Sequence, residues 1–424
     1  MFISYENIGN ICYKLTKNEK FKSFFYNWKI EQNIKYIAHN KPNVLKKLKK
    51  KLENGEKLHA VFYVYDETKW KCQSLYDLLS KDNRFNVTVL VSKTAPNDPK
   101  NPSYQSIMNV AETYKFFKTN GMNVKCAYDT VKQEFIPFKK FKPDIIFYQH
   151  PWYVKTEQGP VVCSKFALTC YIPYYFPIET HDVDCNLRFH KYIENHYILD
   201  DYTKQKYLNK NPELESSLKA VGYPYLDYFS DKDFTEGEYY IYAPHWTICG
   251  KGLAYGTFEW NGKYILEYAK SHPEIKWIFK PHPLLKKALV DCKLMAEKEV
   301  SEYYSEWNKI GIKYESGNYL GLFAKSKMMI TDCSSFLGEY FLTEKPLIHL
   351  MSEKSQFRES NNPILKTYYR AEDLESLKSL LEQLPQKDEM KEVRKETLEN
   401  IGLKNNCTSK NILNDIINEI SSEL

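Results

Sequence analysis

From residue 58 almost to the end, short apolar runs alternate with longer, partly polar segments, and this alternation limits the possible folds more than any other feature. Strands are expected at 58–65, 85–91, 124–128, 144–148, 167–172, 197–199 and 219–221, with helices at 70–79 and 104–117. The runs are close to continuously apolar, so each strand must be covered on both faces, as in a parallel sheet with helical crossovers. Gly222-Tyr223-Pro224 then breaks the pattern, and 230–237 is polar. A second series follows, with strands at 239–243, 275–279, 312–314, 328–331 and 346–350. Its helices are expected at about 262–271, 284–308, 319–324, 371–384 and 388–424. A chain of 424 residues is too long for one small core. The expected organisation is a helical basic segment at 1–57, one α/β domain at 58–229 and another at 230–424. Open parallel sheets take ligands beyond the carboxyl ends of their strands, so two such domains predict a site in the cleft between them.

Charge is unevenly spread. Residues 1–57 hold 13 lysines against 5 acidic residues, a net +8, while the whole chain carries +6. The remainder is therefore slightly acidic, which argues against a nucleic-acid partner, since such binders carry a basic domain. Phe21, Phe24, Phe25 and Trp28 recur at helical spacing near Lys46-Lys47-Leu48-Lys49-Lys50-Lys51. That combination fits contact with an anionic membrane surface; it equally fits a helix packing its aromatics on the first domain with solvated lysines outside. The ten cysteines form no C-x-x-C and no paired Cys/His spacing, so no zinc or dithiol site is indicated, and scattered thiols suit a reducing compartment. The N-terminus reads as no signal peptide, and no apolar run reaches about 18 residues. A cytoplasmic protein is expected; in the membrane-contact reading the 1–57 segment would touch the inner face of the plasma membrane.

Three polar turns in the second half each follow an expected strand: Pro244-His245-Trp246-Thr247, Lys280-Pro281-His282-Pro283 and Asp332-Cys333-Ser334-Ser335. Turns after parallel strands lie at one edge of the sheet, so the three should converge. They bring two imidazoles, an ammonium group, two hydroxyls and a helix start with unpaired N–H groups, which is equipment for binding a diphosphate and stabilising departing negative charge. Taken singly, each has a plainer reading, a capped helix or a hydrogen-bonded structural histidine.

With their flanks, these turns read Tyr-Ala-Pro-His-Trp-Thr (242–247), Phe-Lys-Pro-His-Pro (279–283) and Thr-Asp-Cys-Ser-Ser-Phe-Leu-Gly-Glu-Tyr (331–340), followed by Lys-Pro-Leu (345–347). In this order and spacing they resemble the CDP-glycerol glycerophosphotransferase family, over roughly residues 165–415. The resemblance implies a GT-B fold, two Rossmann-like domains facing a central cleft. It also implies transfer of glycerol phosphate, or a related polyol phosphate, from a CDP-linked donor to a hydroxyl of a capsule or other surface glycan, with release of CMP and no metal cofactor. His245, His282 and Lys280 would act at the reacting diphosphate; Ser334, Ser335, Asp332 and Thr247 would help hold the donor, and Glu339 would reach its ribose. Many members carry a Trp-His-Gly-Thr type motif in the first domain. The comparable region here, Cys170-Tyr171-Ile172-Pro173-Tyr174-Tyr175-Phe176, has no histidine, although His181 and His190 follow. The base for the acceptor hydroxyl is left among His245, His181 and Glu179. Two other readings fit parts of the pattern: a GT-B glycosyltransferase using a nucleotide sugar for capsule or lipooligosaccharide synthesis, and a non-catalytic scaffold of a glycan assembly complex acting through its basic N-terminus.

Overall fold

The protein is described by a computed structural model covering residues 19–94, 109–152, 154–178, 185–229, 234, 237–250, 254–314, 319–355, 357, 360–401, 403 and 407–422. Fifteen strands are described. The first series is β1 (Leu58–Val64), β2 (Phe85–Val91), β3 (Val124–Cys126), β4 (Tyr128–Asp129), β5 (Glu134–Phe135), β6 (Ile145–Tyr148), β7 (Leu168–Tyr171), β8 (Asn195–Ile198) and β9 (Leu218–Ala220). The second is β10 (Tyr239–Ala243), β11 (Trp277–Phe279), β12 (Gly311–Lys313), β13 (Ser326–Thr331), β14 (Leu347–Leu350) and β15 (Tyr369–Ala371). Seven strands pair in the order β3-β2-β1-β6-β7-β8-β9 and six in the order β12-β11-β10-β13-β14-β15; β4 and β5 form a separate small ribbon. Every pairing within the two large sheets is parallel. The central strands are buried almost throughout, as their uninterrupted apolar sequences require. This is the expected α/β architecture of two Rossmann-like domains.

The helices are α1 (Glu19–Glu53), α2 (Gln73–Lys81), α3 (Val110–Thr119), α4 (Pro160–Cys163), α5 (Asp201–Leu208), α6 (Phe258–Ser271), α7 (Leu285–Asp291), α8 (Glu297–Ile310), α9 (Leu320–Lys325), α10 (Ser334–Glu339), α11 (Leu374–Gln383), α12 (Lys391–Asn400) and α13 (Thr408–Ser421). The single helix expected at 284–308 is two. Lys293 adopts φ 57°, and Ala296 is extended with its N–H bonded to the Glu299 carboxylate at 2.7 Å, which starts α8 anew.

The ends of the chain depart from the expected division. Val44, Leu45 and Leu48 of α1 and Ile412, Leu413, Ile416 and Ile420 of α13 all lie in the core of the first sheet. So the second half of the basic segment is core rather than extension, and the last helix of the 230–424 segment packs back on the first domain. Lys41 of α1 meets Glu419 of α13 at 2.5 Å, and Lys219 of β9 meets Asp415 of α13 at 2.6 Å, which ties α13 to α1 and to the first sheet. Within the lysine cluster, Lys47 and Lys51 are tied to the buried Asp144 at 3.2 and 2.7 Å. Phe24 is exposed, whereas the side chain of Phe21 lies outside the described residues. Residues 230–233, where the boundary was expected, also lie outside them.

Candidate functional site

β11, β10 and β13 are neighbours at the centre of the second sheet, in register Tyr242↔Phe279 and Ala243↔Thr331, so the loops that leave them must start side by side. Backbone and buried polar groups then fasten the loops to one another. The His282 N–H bonds to the Pro244 carbonyl at 3.0 Å. The Thr331 hydroxyl donates to the Ala243 carbonyl at 2.7 Å and accepts from Cys333 N at 3.0 Å. Asp332, almost fully buried, takes His245 N on one oxygen at 2.6 Å and Thr257 N and Oγ1 on the other, both at 2.7 Å. The three sequence-predicted turns are therefore one assembly. Asp332 holds it together instead of facing a ligand, because both its oxygens are used by the chain.

The assembly sets the state of two imidazoles whose ring centroids are 5.0 Å apart. Thr247 Oγ1 accepts from Tyr255 N at 3.0 Å and Gly256 N at 3.3 Å, so its own proton goes to His245 Nδ1, 2.8 Å away. Thr247 N also points at that nitrogen, at 3.3 Å. His282 Nδ1 accepts from Leu284 N at 3.1 Å. With both Nδ1 atoms accepting, each neutral ring carries its proton on Nε2, and neither Nε2 has a hydrogen-bond partner among the described residues. Burial holds His245 down to about 3. Burial, then His245, Lys280 and Lys69, hold His282 well below the usual imidazole range. At neutral pH the pair offers two uncharged N–H donors. That overturns the expectation of His245 as a base: its accepting nitrogen is occupied and the other is protonated. Thr247 likewise orients His245 and the 254–257 turn, so its hydroxyl is not open to a donor molecule.

Charge comes from Lys280. Its side chain is buried, its Nζ has no hydrogen-bond acceptor among the described residues, and it lies over the rings of Tyr319 (4.8 Å), Tyr314 (5.4 Å) and Phe336 (5.4 Å). Burial lowers its pKa to about 8, with Lys71 adding to the fall and Cys333 and Glu339 opposing it. Ser334 and Ser335 are half-buried at the start of α10 and make no side-chain hydrogen bonds among the described residues. α10 is only six residues long, less of a helix than the sequence promised, so its dipole is small. Burial raises the Asp332 carboxyl to about 7.

Glu339 departs furthest from expectation. It is fully buried, accepts from the Tyr319 hydroxyl at 2.6 Å, and lies 3.7 Å from Nζ of Lys71, a first-domain residue. Neither a solvent-facing position nor an open one beside a ribose describes it. Beside it, Gly338 meets the first domain directly: a Cβ there would lie 1.9 Å from Cδ1 of Phe176, which follows β7. Phe176, Ile178, Leu199 and Tyr223 share one core with Ile241, Leu337 and Tyr340, so the two halves are packed against each other at the site.

Several residues on the first-domain side were not expected. Lys71 and Trp70 follow β1; Gln149 and His150 follow β6, the neighbouring strand. Gln149 accepts from Lys71 N at 3.0 Å. His150 is buried, its ring centre lies 3.8 Å from that of Tyr65, and its Nε2 has no hydrogen-bond partner among the described residues. Burial, then Lys69, lowers its pKa well below the usual range, and Lys69 also depresses that of His282 across the junction. The rule that picked the three turns, polar residues after a parallel strand, picks these too when applied to the first half. The other base candidates, Glu179 and His181, lie outside the described residues, and His190, which follows the same histidine-free region, is buried against His196 at 3.3 Å.

Two Rossmann-like domains meeting across the carboxyl edges of their parallel sheets define the GT-B fold. No family model matches the chain. Among curated proteins it is 23% identical over 395 residues to the minor teichoic acid biosynthesis protein GgaB of Bacillus subtilis (strain 168), covering 84% of this chain and 41% of that protein. The chain thus spans less than half the length of that relative. Among solved structures it is similar to the wall teichoic acid polymerase TagF soaked with CDPG (TM-score 0.55, 13% identity, 94% of this chain and 98% of that one). It is equally similar to the UDP-GlcNAc 2-epimerase of Neisseria meningitidis bound to UDP-GlcNAc (TM-score 0.54, 15% identity, 85% and 99%). The structural likenesses establish the fold. With the likeness to GgaB they bear out the resemblance to the CDP-glycerol glycerophosphotransferase family.

Proposed function

We propose that the protein is a transferase that moves glycerol phosphate, or a related polyol phosphate, from a CDP-linked donor to a hydroxyl of a bacterial cell-wall or surface glycan, releasing CMP. The observation that carries this reading is the pairing of His245 and His282 as neutral N–H donors beside the uncompensated ammonium of Lys280. Such an array suits a diphosphate. The acceptor oxygen attacks the phosphorus bearing glycerol, the bond to the bridging oxygen breaks, and CMP leaves with the developing charge held by both imidazoles and Lys280. Ser334 and Ser335 supply further donors. The acceptor enters from the first-domain side, and its hydroxyl proton is released to solvent as the new phosphodiester forms.

The likeness to GgaB and TagF supports this donor class. The capsule context, the acceptor and a place at the membrane belong to the proposal alone. Among the described residues no helix is long and apolar enough to cross a membrane. The exposed Phe24, Tyr26 and Tyr36 of α1, with exposed Lys35 and Lys46, support docking of that helix on the inner face of the plasma membrane.

The test is to incubate the protein with CDP-glycerol and a polyol-phosphate glycan primer, following CMP release and the mass of the primer. His282→Ala should lower turnover by roughly 10²–10³-fold, the usual cost of losing one transition-state donor; near-normal turnover would sink the assignment. The equal fold likeness to a UDP-GlcNAc enzyme keeps a nucleotide-sugar reaction as the second reading. Thermal stabilisation by UDP-GlcNAc but not by CDP-glycerol would favour it.

A further inference from the structure

Lys71 leaves the first domain in the loop after β1 and ends inside the second. Its Nζ donates to the Tyr319 hydroxyl at 2.5 Å, lies 3.7 Å from Glu339 Oε1 and sits 3.9 Å from the centre of the Tyr225 ring. Tyr319 in turn donates to Glu339 Oε2. Tyr319 also joins the two lysines: Lys71 Nζ is 4.6 Å and Lys280 Nζ 4.8 Å from its ring centre. Lys71, Lys280 and Glu339 are all buried. The other groups facing the cluster are Cys333 and the phenols of Tyr223, Tyr225, Tyr314 and Tyr319, all uncharged at neutral pH because burial raises each of them, together with neutral His282. Burial lowers the pKa of Lys71 and raises that of Glu339, and their mutual attraction opposes both shifts; with the pair ionised, one carboxylate faces two ammonium groups, and Glu339 Oε1 and Lys280 Nζ both lack hydrogen-bond partners among the described residues. Buried charge of one sign in excess is costly until a counter-charge arrives.

We propose that Lys71 is a positioning residue of the anion seat. Together with Tyr319 and Glu339 it makes a latch across the two domains, and the latch leaves the seat with one surplus positive charge that a diphosphate neutralises. The inference deepens the proposed function and rests on its anion seat, not on the identity of the nucleoside. Glu339 is then a counter-ion to Lys71, not a ribose ligand, and the two roles give opposite signs on substitution. Lys71 also makes the seat a property of the closed molecule, since its cation arrives from the other domain.

The experiment is calorimetric titration of the full chain with inorganic pyrophosphate at pH 7, for the parent protein, Lys71→Met, Lys71→Arg and Glu339→Gln. Lys71→Met should weaken binding by about tenfold and Glu339→Gln should tighten it by about tenfold, the scale of one unit charge lost or gained several ångströms away at a partly screened site. Lys71→Arg should stay within about threefold of the parent, because charge is kept. Parent-like binding by Lys71→Met, or weakening by both Lys71→Met and Glu339→Gln, would overturn the latch, as would a parent protein that does not bind pyrophosphate. If Lys71→Met fails to fold, the sign of the Glu339→Gln change decides alone. A protein that shows this pyrophosphate pattern but prefers a uridine conjugate keeps the latch and loses the CDP-donor assignment.

Discussion

In the sequence, His245 and His282 are expected at the reacting diphosphate, with His245 also a candidate base. Their surroundings fix them as uncharged donors: each Nδ1 is taken by a neighbour, and burial keeps both rings uncharged. The consequence is a one-sided pH dependence. Between about pH 5.5 and 6.5 donor affinity should be flat, because neither ring titrates there. Above that it should fall, as Asp332 ionises near 7 and Lys280 loses its proton near 8, both changes disfavouring an anion. Calorimetry with CDP-glycerol across this range checks it; affinity that already drops between pH 5.5 and 6.5 would mean that the imidazoles bind as cations. The candidate residues themselves were legible because three turns repeat one relation, polar groups after an apolar strand. Their roles were not. Nothing in the sequence says that Asp332 is consumed by His245 N and Thr257, or that Glu339 meets a lysine 268 positions earlier.

At the scale of elements, apolar periodicity located most strands and helices within a few residues, and failed where local backbone geometry or distant packing decides. The break at Lys293 has no glycine or proline to announce it. β15 is a three-residue edge strand at the start of what reads as a helix. α1 reads as a polar extension because its apolar face is narrow, yet Leu48 is fully buried in the first core. Leu48→Ala should therefore cost about 2–5 kcal/mol, as other buried leucine truncations do, whereas Phe24→Ala should leave the chemical-denaturation midpoint unchanged. α10 carries a stricter requirement. Gly338 admits the Phe176 ring, and Gly338→Ala has to displace that ring or part the domains. A cost of about 1–3 kcal/mol is expected, with an increased radius of gyration in small-angle scattering. An unaltered radius and unaltered melting would refute the close apposition.

The whole molecule is two sheets joined by a shared core and wrapped by both ends of the chain. α13 returns from the second half to bury Ile412, Ile416 and Ile420 against the first sheet, and Lys41 and Glu419 pair across the ends. Removing residues 407–424 should expose that apolar face. At about 1.5–3 kcal/mol for each large side chain, the loss is comparable with the total stability of a domain. The truncated chain should unfold at a much lower denaturant concentration, and a parent-like midpoint would contradict the wrapped arrangement. The number of domains was legible in the sequence, since the α/β series restarts after Gly222-Tyr223-Pro224. The wrapping was not, because an amphipathic helix at the end of a chain carries no sign of which sheet it will cover.

In the proposal, three loops of the second domain, closed by a lysine of the first, form one seat for a diphosphate. A crystal soaked with CDP-glycerol tests it most directly. The two phosphoryl groups should lie within hydrogen-bond distance of Nε2 of His245 and His282, with Lys280 Nζ and the Ser334 and Ser335 hydroxyls around them. A nucleotide bound elsewhere, with those nitrogens facing only solvent, would contradict it.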